Sequence, residues 1–325
     1  GFAGSLAALV ALRVMLGVGE GVAFPSASKI IARHVSGARR GIANGTLAAA
    51  LAWGPAIGTL AGGLILRDYG WRPIFLVFGS VTFLWIVPWM IVSRAHWRRP
   101  EDAAPAVPVS EVVRHPTVWA MGVGHFCNTY GFYFMLAWLP LFLVKSRGFS
   151  ILEMTEMTTI AYVIQGVGAL GWGVLSDRLV AGGWDEGRLR KGLLAFHQFG
   201  SAAAIGGIGF SSTPGGIFAC LVAAAAIGGI GGANPYAITQ IFAGPKAAGS
   251  WVGVMNGIGN TSGIVGPILT GLLIEGTGSY IWAFGVSAAI VAFGGIWWIA
   301  AIPKVRPVGD DAAPGRPQGP RLRAS

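Results

Sequence analysis

Apolar stretches of about twenty residues recur along almost the whole chain, and they limit what it can fold into. A helix of that length crosses the ~30 Å hydrocarbon layer of a bilayer. The strict alternation of apolar and polar residues that a barrel strand needs is not seen. The nine predicted spans are 5–32, 41–66, 73–93, 117–144, 153–177, 192–211, 215–242, 250–275 and 280–302. We therefore predict an all-α membrane protein.

Composition and charge agree with a membrane location. Of the 325 residues, 54% are hydrophobic and 11% are charged, whereas a soluble domain has about 25% charged residues. The net charge of +10 could suggest a nucleic-acid partner, but most of the 23 lysines and arginines fall in loops on one side of the nine spans. This bias follows the positive-inside rule. It predicts an outer N-terminus, a cytoplasmic C-terminus and no nucleic-acid binding. The location that we expect is the bacterial plasma membrane.

The first span carries two charges inside an apolar helix, Arg13 and Glu20. A charged side chain in hydrocarbon costs at least about 3 kcal/mol, so such residues usually face a cavity and carry function. The two residues are seven positions apart, which is two helical turns or about 10 Å along one face. The alternative is a structural ion pair with a neighbouring helix. Lys29, near the cytoplasmic end, is expected to extend its ammonium group toward the interface.

The chain also contains a faint internal repeat. The segments that match, in the same order, are 17–25 with 228–235, Asn44-Gly45 with Asn256-Gly257, and Gly54-Pro55 with Gly266-Pro267. If the first three spans correspond to the last three, then the counterparts of the middle three would precede residue 1. We therefore expect an N-terminally truncated chain that begins at the fourth of twelve helices.

Three motifs carry a resemblance to a known family. They are Arg13, Glu20, Gly21 and Pro25, which match R-x6-E-(G/A)-x3-P; His125-Phe126-Cys127-Asn128 with Tyr133 and Trp138-Leu139-Pro140; and Gly173-Val174-Leu175-Ser176-Asp177-Arg178. The first two resemble the anion:cation symporter family of the major facilitator superfamily, which includes galactonate, glucarate and hexuronate transporters. The third is similar to a loop motif of the whole superfamily.

The resemblance implies a domain organisation and a fold. The fold is the major facilitator fold, in which two parallel six-helix repeats surround a midplane site. Residues 1–93 would be the last three helices of the N-terminal half, 94–116 the cytoplasmic loop between the halves, and 117–302 the C-terminal six-helix half. Residues 303–325 would form a basic, disordered cytoplasmic tail.

The resemblance also implies roles for the charged pair. Glu20 would carry the coupled proton, and Arg13 would bind the substrate carboxylate or tune Glu20. Polar side chains within other spans are further candidates for substrate binding. These candidates are Asn256, Asn260, Asn234, Tyr236, Tyr130 and Tyr133. For each of them, packing between helices is the alternative role.

The remaining polar residues give weaker signals. Asn128 stands where glutamate-carrying relatives have arginine, which argues against an amino-diacid substrate. His125 and His197 are expected to be structural or interfacial rather than proton relays. Gln165 stays open. The two cysteines, Cys127 and Cys220, show no metal or disulfide spacing, and we expect neither metal nor cofactor.

The sequence as a whole predicts proton-coupled uptake of an organic anion, a sugar acid or small carboxylate, by alternating access. Its partners would be that anion, protons and the lipid bilayer, and the protein would act as a monomer. A drug or metabolite exporter is the alternative suggested by Gly54-Pro55, and a membrane sensor without transport is another. An enzyme is not expected, because no nucleophile–base pair or metal cluster is visible.

Overall fold

A computed structural model describes residues 1–96 and 107–308, apart from the side chains of residues 67, 95 and 96. Throughout this part the chain is helical and contains no strand, which confirms the predicted all-α fold. A 3-10 turn, Gly37–Arg39, joins the second and third helices of the N-terminal set. The helices of this set are α1 (Leu6–Glu20), α2 (Ala23–His34), α3 (Arg40–Tyr69), α4 (Arg72–Leu84) and α5 (Ile86–His96).

The C-terminal set contains seven helices, the first of which is a single turn. They are α6 (Val109–Val112), α7 (Pro116–Leu141), α8 (Ile151–Ala181), α9 (Glu186–Phe210), α10 (Pro214–Asn260), α11 (Ser262–Thr277) and α12 (Tyr280–Ala300). A π-helical turn, Phe142–Ser146, extends α7. Ser150 and Glu153 form a capping box at the start of α8, because each side chain accepts a bond from the other's backbone N–H.

Eight helical stretches in the described residues are long and apolar enough to cross a membrane. Seven of them match single predicted spans, and α1 with α2 forms the first, Leu6–His34. The remaining stretch, Pro214–Thr277, has 64 residues. At 1.5 Å per residue it would be about three times as long as the hydrocarbon layer is thick. It therefore has to contain two spans.

A sharp bend divides this stretch. Gly244 has φ 64° and ψ −179°, a conformation that L side chains rarely adopt, and Pro245 follows it. The chain then doubles back, since the rings of Phe242 and Trp251 stack at 6.4 Å and Tyr236 bonds to Asn256 at 2.9 Å. The two arms are the predicted spans 215–242 and 250–275, so all nine predicted spans are present.

Several helices of the N-terminal set expose their apolar side chains. No residue of α1 or α4 is buried, and Val14 and Val18 on α1 are 62% and 73% exposed. Such surfaces are stable against acyl chains but not against water. The protein is therefore integral to a membrane.

The two sets of helices meet where α3 packs against α8. Glycines allow the backbones to approach, since a Cβ on Gly45 would lie 2.6 Å from the carbonyl oxygen of Ala169, and one on Gly173 would lie 2.7 Å from that of Gly41. Further along α3 the contact is lost, since a Cβ on Gly58 or Gly63 would meet nothing within 4 Å and Ile57 is 66% exposed. The sets therefore touch at one end of the bundle and diverge toward the other. We call the contact end, which carries Arg33, Arg40, Arg178 and Arg190, the basic end.

Part of the predicted loop and part of the predicted tail pack against the basic end. Val112 on α6 is fully buried, and Ser250 donates to the carbonyl oxygen of Val107 at 2.7 Å. Val305 is buried, and the backbone N–H of Val308 donates to the carbonyl oxygen of Phe242 at 2.9 Å. Residues 97–106 of the predicted loop and 309–325 of the predicted tail lie outside the described residues.

Candidate functional site

A cavity of about 410 Å³ lies between the two sets of helices, within the range of about 300–1,000 Å³ typical of small-molecule sites. Phe24, Leu51 and Thr59 line it from the N-terminal set, and the larger helix set forms the other wall. The polar residues of that wall are His125, Asn128, Thr129, Tyr133, Thr158, Tyr162, Gln165, His197, Ser201, Tyr236, Asn256 and Asn260. Among the lining residues of the described chain there is no Asp, Glu, Lys or Arg.

Four of the predicted binding residues meet in one network in this wall. The phenol of Tyr236 donates to Oδ1 of Asn256 at 2.9 Å, and the phenol of Tyr133 donates to Oδ1 of Asn260 at 2.8 Å. Asn256 and Asn260 are four residues apart and share one helix face, as their spacing predicts. Nε2 of His125 also bonds to Oδ1 of Asn256, at 3.3 Å. The phenol hydrogens are thus engaged, and their oxygens remain available as acceptors.

Aromatic packing holds this network in place. The ring of Phe24 on α2 stacks on the ring of Tyr236 at 4.8 Å with an interplanar angle of 12°, and His125 meets Tyr236 edge-on at 5.5 Å. Phe24 of the N-terminal set therefore packs directly against Tyr236, one of the predicted binding residues. Any movement of α2 relative to α10 would alter the position of the Tyr236 phenol.

A second network surrounds His197 on α9. Its Nε2 lies 2.9 Å from Oδ1 of Asn128, and its Nδ1 lies 3.1 Å from the carbonyl oxygen of Ile227 and 3.3 Å from Oγ of Ser201. Gly231 makes room for the ring, since a Cβ there would overlap Nε2 of His197. The sequence did not predict that Asn128 contacts this histidine, because the two residues are 69 positions apart. Ser201 could have been found, since a spacing of four residues places it on the same helix face as His197.

Arg13 and Glu20 lie outside the cavity wall. Both are exposed, and within the described residues no ion pair joins them. The guanidinium of Arg13 lies 5.4 Å from the ring centroid of Phe75, a cation–π contact. Glu20 is the last residue of α1, at the break before α2, and it interacts electrostatically with Tyr133 in the cavity wall. Neither residue is among those that line the cavity.

The other two predicted binding residues are buried away from the cavity. Asn234 is 3% exposed, and its Oδ1 accepts from Nη1 of Arg190 at 3.3 Å. Tyr130 is 1% exposed, and its ring packs between α7 and α11, 3.6 Å from where a Cβ on Gly266 would lie. Both residues connect helices within the C-terminal set in this conformation.

Ionic and polar contacts close the basic end. The carboxylate of Asp177 accepts from the backbone N–H groups of Gly41 and Ile42 at 2.7 and 2.8 Å, so it caps the N-terminus of α3 from the other helix set. Glu186 pairs with Arg40 at 2.9 Å and with Arg190 at 2.9 Å. These contacts join the start of α3 to the predicted loop motif of residues 173–178, which contains Asp177.

One turn further in, an amide pair bridges the same two helix sets. Nδ2 of Asn44 donates to Oε1 of Gln240 at 3.0 Å, and Nε2 of Gln240 donates back to Oδ1 of Asn44 at 2.9 Å. Nε2 of Gln240 also donates to Oγ of Ser28 at 3.2 Å. The cavity is therefore sealed from the basic end by two successive layers, one charged and one neutral.

The described residues offer no metal site, because no three His, Cys, Asp or Glu side chains are grouped closely enough to hold an ion. A second groove of about 510 Å³ runs along the exposed side of α8, beside Val167, Val174 and Leu175. Its lining is almost entirely apolar. It suits a lipid chain better than a polar ligand.

Two sets of apolar helices around a polar cavity define the chain as a helical membrane protein with a central site. A sequence model of the Major Facilitator Superfamily matches residues 1–183 and 153–324. The chain belongs to this superfamily, which confirms the resemblance and the predicted fold class.

Several curated relatives are similar over most of the chain. The hexuronate transporter of Bacillus subtilis is 27% identical over 312 residues, which are 92% of this chain and 73% of the relative. The probable sulfoacetate transporter of Cupriavidus necator is 29% identical, with 91% and 73% covered. The chloroplastic ascorbate transporter of Arabidopsis thaliana is 23% identical, with 89% and 56% covered. The relatives are named as transporters, which confirms the expectation of a transport protein rather than an enzyme.

Proposed function

We propose that the protein moves a small organic anion, a sugar acid or small carboxylate, into the cell together with protons by alternating access. The observation that carries this proposal is the cavity of about 410 Å³ between the two helix sets, with hydroxyl, amide and imidazole groups in its wall. Such groups suit the hydroxyls of a sugar acid. Relatives named for hexuronate and sulfoacetate transport support an anionic substrate.

The charged pair on the first span supplies the coupling in this proposal. Glu20 would carry the proton, since it lies at a helix break and already interacts with Tyr133 of the cavity wall. Arg13 would attract the substrate carboxylate, because the described lining of the cavity itself has no cation. Protonation of Glu20 on anion binding would keep the cavity close to neutral, which favours closure around the substrate because an uncompensated charge in hydrocarbon is costly.

The conformation supports alternating access about this site. The basic end is closed by Asp177, Glu186 and their partners, whereas the helix sets diverge at the other end. The positive-inside rule places the basic end in the cytoplasm. In this assignment the C-terminus is cytoplasmic, the protein works as a monomer in the bacterial plasma membrane, and the present conformation faces outward.

Two other functions stay as alternatives. An efflux facilitator is suggested by Gly54-Pro55, yet a Cβ on Gly54 or Gly58 would meet nothing within 4 Å. This part of α3 is therefore an exposed small-residue surface on which another helix could pack. A transporter-like sensor would bind the anion without moving it. Outward net flux would distinguish the exporter from an uptake protein, and binding without net flux would distinguish the sensor.

The test is uptake by the full-length protein reconstituted into vesicles. Labelled D-glucuronate, D-gluconate and sulfoacetate would be offered with and without an inward proton gradient. We expect at least one of them to accumulate above its outside concentration under the gradient, and a protonophore to abolish the accumulation. Binding without flux would indicate the sensor, and flux only outward would indicate the exporter, so either result would contradict uptake.

A further inference from the structure

We infer that His197 takes up a proton together with the transported anion and then serves as the cation of the cavity wall. This inference rests on the proposed function for its ligand. Protonation of His197 itself can be measured without any ligand. Three features support it: the atoms around the two ring nitrogens, the lack of compensating charge in the described lining, and the position of the ring at the cavity surface.

The first ring nitrogen carries a proton in every state. Nδ2 of Asn128 donates to the carbonyl oxygen of Gly231 at 3.1 Å, and a carbonyl can only accept. This bond fixes the amide so that Oδ1 of Asn128 faces Nε2 of His197 at 2.9 Å. Two acceptors at that distance repel each other, so this shorter contact favours a hydrogen on Nε2. Nε2 of His197 therefore donates to Asn128.

The second ring nitrogen has a suitable partner in either state. Oγ of Ser201 lies 3.3 Å from Nδ1 and can donate to it when the ring is neutral. The carbonyl oxygen of Ile227 lies 3.1 Å from Nδ1 and can only accept. In the neutral ring this oxygen faces a lone pair, whereas in the protonated ring it accepts a charge-assisted bond. Oδ1 of Asn128 and the carbonyl oxygen of Ile227 can thus accept from the two N–H groups of an imidazolium.

Among the described residues that line the cavity, none is a carboxylate that could neutralise that imidazolium. The titratable groups that face the same cavity are His125 and Tyr133 on α7, Tyr162 on α8 and Tyr236 on α10, and α12 contributes Val291. On α9 itself, Arg190 pairs with Glu186 two turns away, and Lys191 donates to the carbonyl oxygens of Ile299 and Ile302. Glu20 is not among the residues that line this cavity.

An anion in the cavity would supply the missing counter-charge. A buried cation without a partner is costly, so proton and anion favour each other's binding. Such coupling is reciprocal: a proton that promotes anion binding is itself held more tightly when the anion is present. For one coupled proton, the anion's affinity rises up to about tenfold for each unit that the pH falls. His197 would thus add a second protonation site to the one proposed at Glu20.

The direct test is nitrogen NMR of the full-length protein in bilayers with ¹⁵N-labelled histidine. The chain has five histidines, and the signals lost in His197→Gln assign the one of interest. Glutamine keeps a donor for Asn128 but cannot become charged. We expect the neutral ring to be protonated at Nε2, and acidification to protonate Nδ1 as well. His125→Gln is the matched control and should leave the His197 signals unchanged.

A neutral His197 at every pH at which the protein stays folded, or a neutral ring protonated at Nδ1, would overturn the inference. A second experiment, the pH dependence of anion binding, tests the coupling between the His197 proton and the anion. In a Glu20→Gln background, D-glucuronate affinity should still rise up to about tenfold per pH unit, and adding His197→Gln should remove this rise. If no candidate anion binds, the proposed substrate class is wrong, while the ligand-free titration still decides whether His197 takes up a proton.

Discussion

Removing the charge of Asp177 should open the basic end. In Asp177→Asn, one of the two carboxylate oxygens that accept from Gly41 and Ile42 at 2.7 and 2.8 Å is replaced by an NH2 group, which cannot accept. The interaction of Asp177 with Arg190 at 3.7 Å also loses its charge. A hydrogen bond to a charged group contributes about 1.5–3 kcal/mol, so we expect a loss of about 2 kcal/mol in the closed conformation. This corresponds to roughly a 30-fold shift toward the state open at the basic end.

The shift is measured as a distance between spin labels across the basic end. Ala38 and Ala181 are exposed on the two helix sets, and cysteines there would carry the labels in a Cys220→Ser background. Asp177→Asn should add a population at longer distance. Asp185→Asn is the control, because Asp185 caps its own helix by accepting from the N–H of Arg188 at 2.7 Å. Equal distance distributions in both variants would refute the reasoning.

Three further predictions concern the coupling pair and the helix contact. Glu20→Gln should lower the accumulation that a proton gradient drives in vesicles, because only the proton on His197 is then coupled, yet allow anion exchange. Unchanged accumulation would remove the proton role of Glu20. Arg13→Ala should weaken anion binding at least tenfold in a thermal-stabilisation titration, and unchanged affinity would place it outside the site. Gly45→Val should destabilise the fold by about 1–3 kcal/mol in thermal unfolding, because its Cβ would lie 2.6 Å from the carbonyl oxygen of Ala169. Gly63→Val, which meets nothing within 4 Å, is its control.

The local pattern of apolar and polar residues was sufficient to predict the membrane spans and part of the candidate site. The length of each apolar stretch is set by the bilayer, so each could be counted before the helices were assembled. Asn256 and Asn260 share a face because helical periodicity alone places them there. The same local rules explain the bend at Gly244-Pro245, where a residue without a Cβ adopts φ 64° before a proline.

The sequence by itself therefore determined the membrane fold, the number of spans and the polar face of Asn256 and Asn260. Only the tertiary structure decided which polar residues share the cavity, because periodicity does not tell which helix a given face meets. His197 meets Asn128 across 69 positions, and Asp177 caps α3 across 136. The same packing left Arg13 and Glu20 outside the cavity wall and placed two histidines within it.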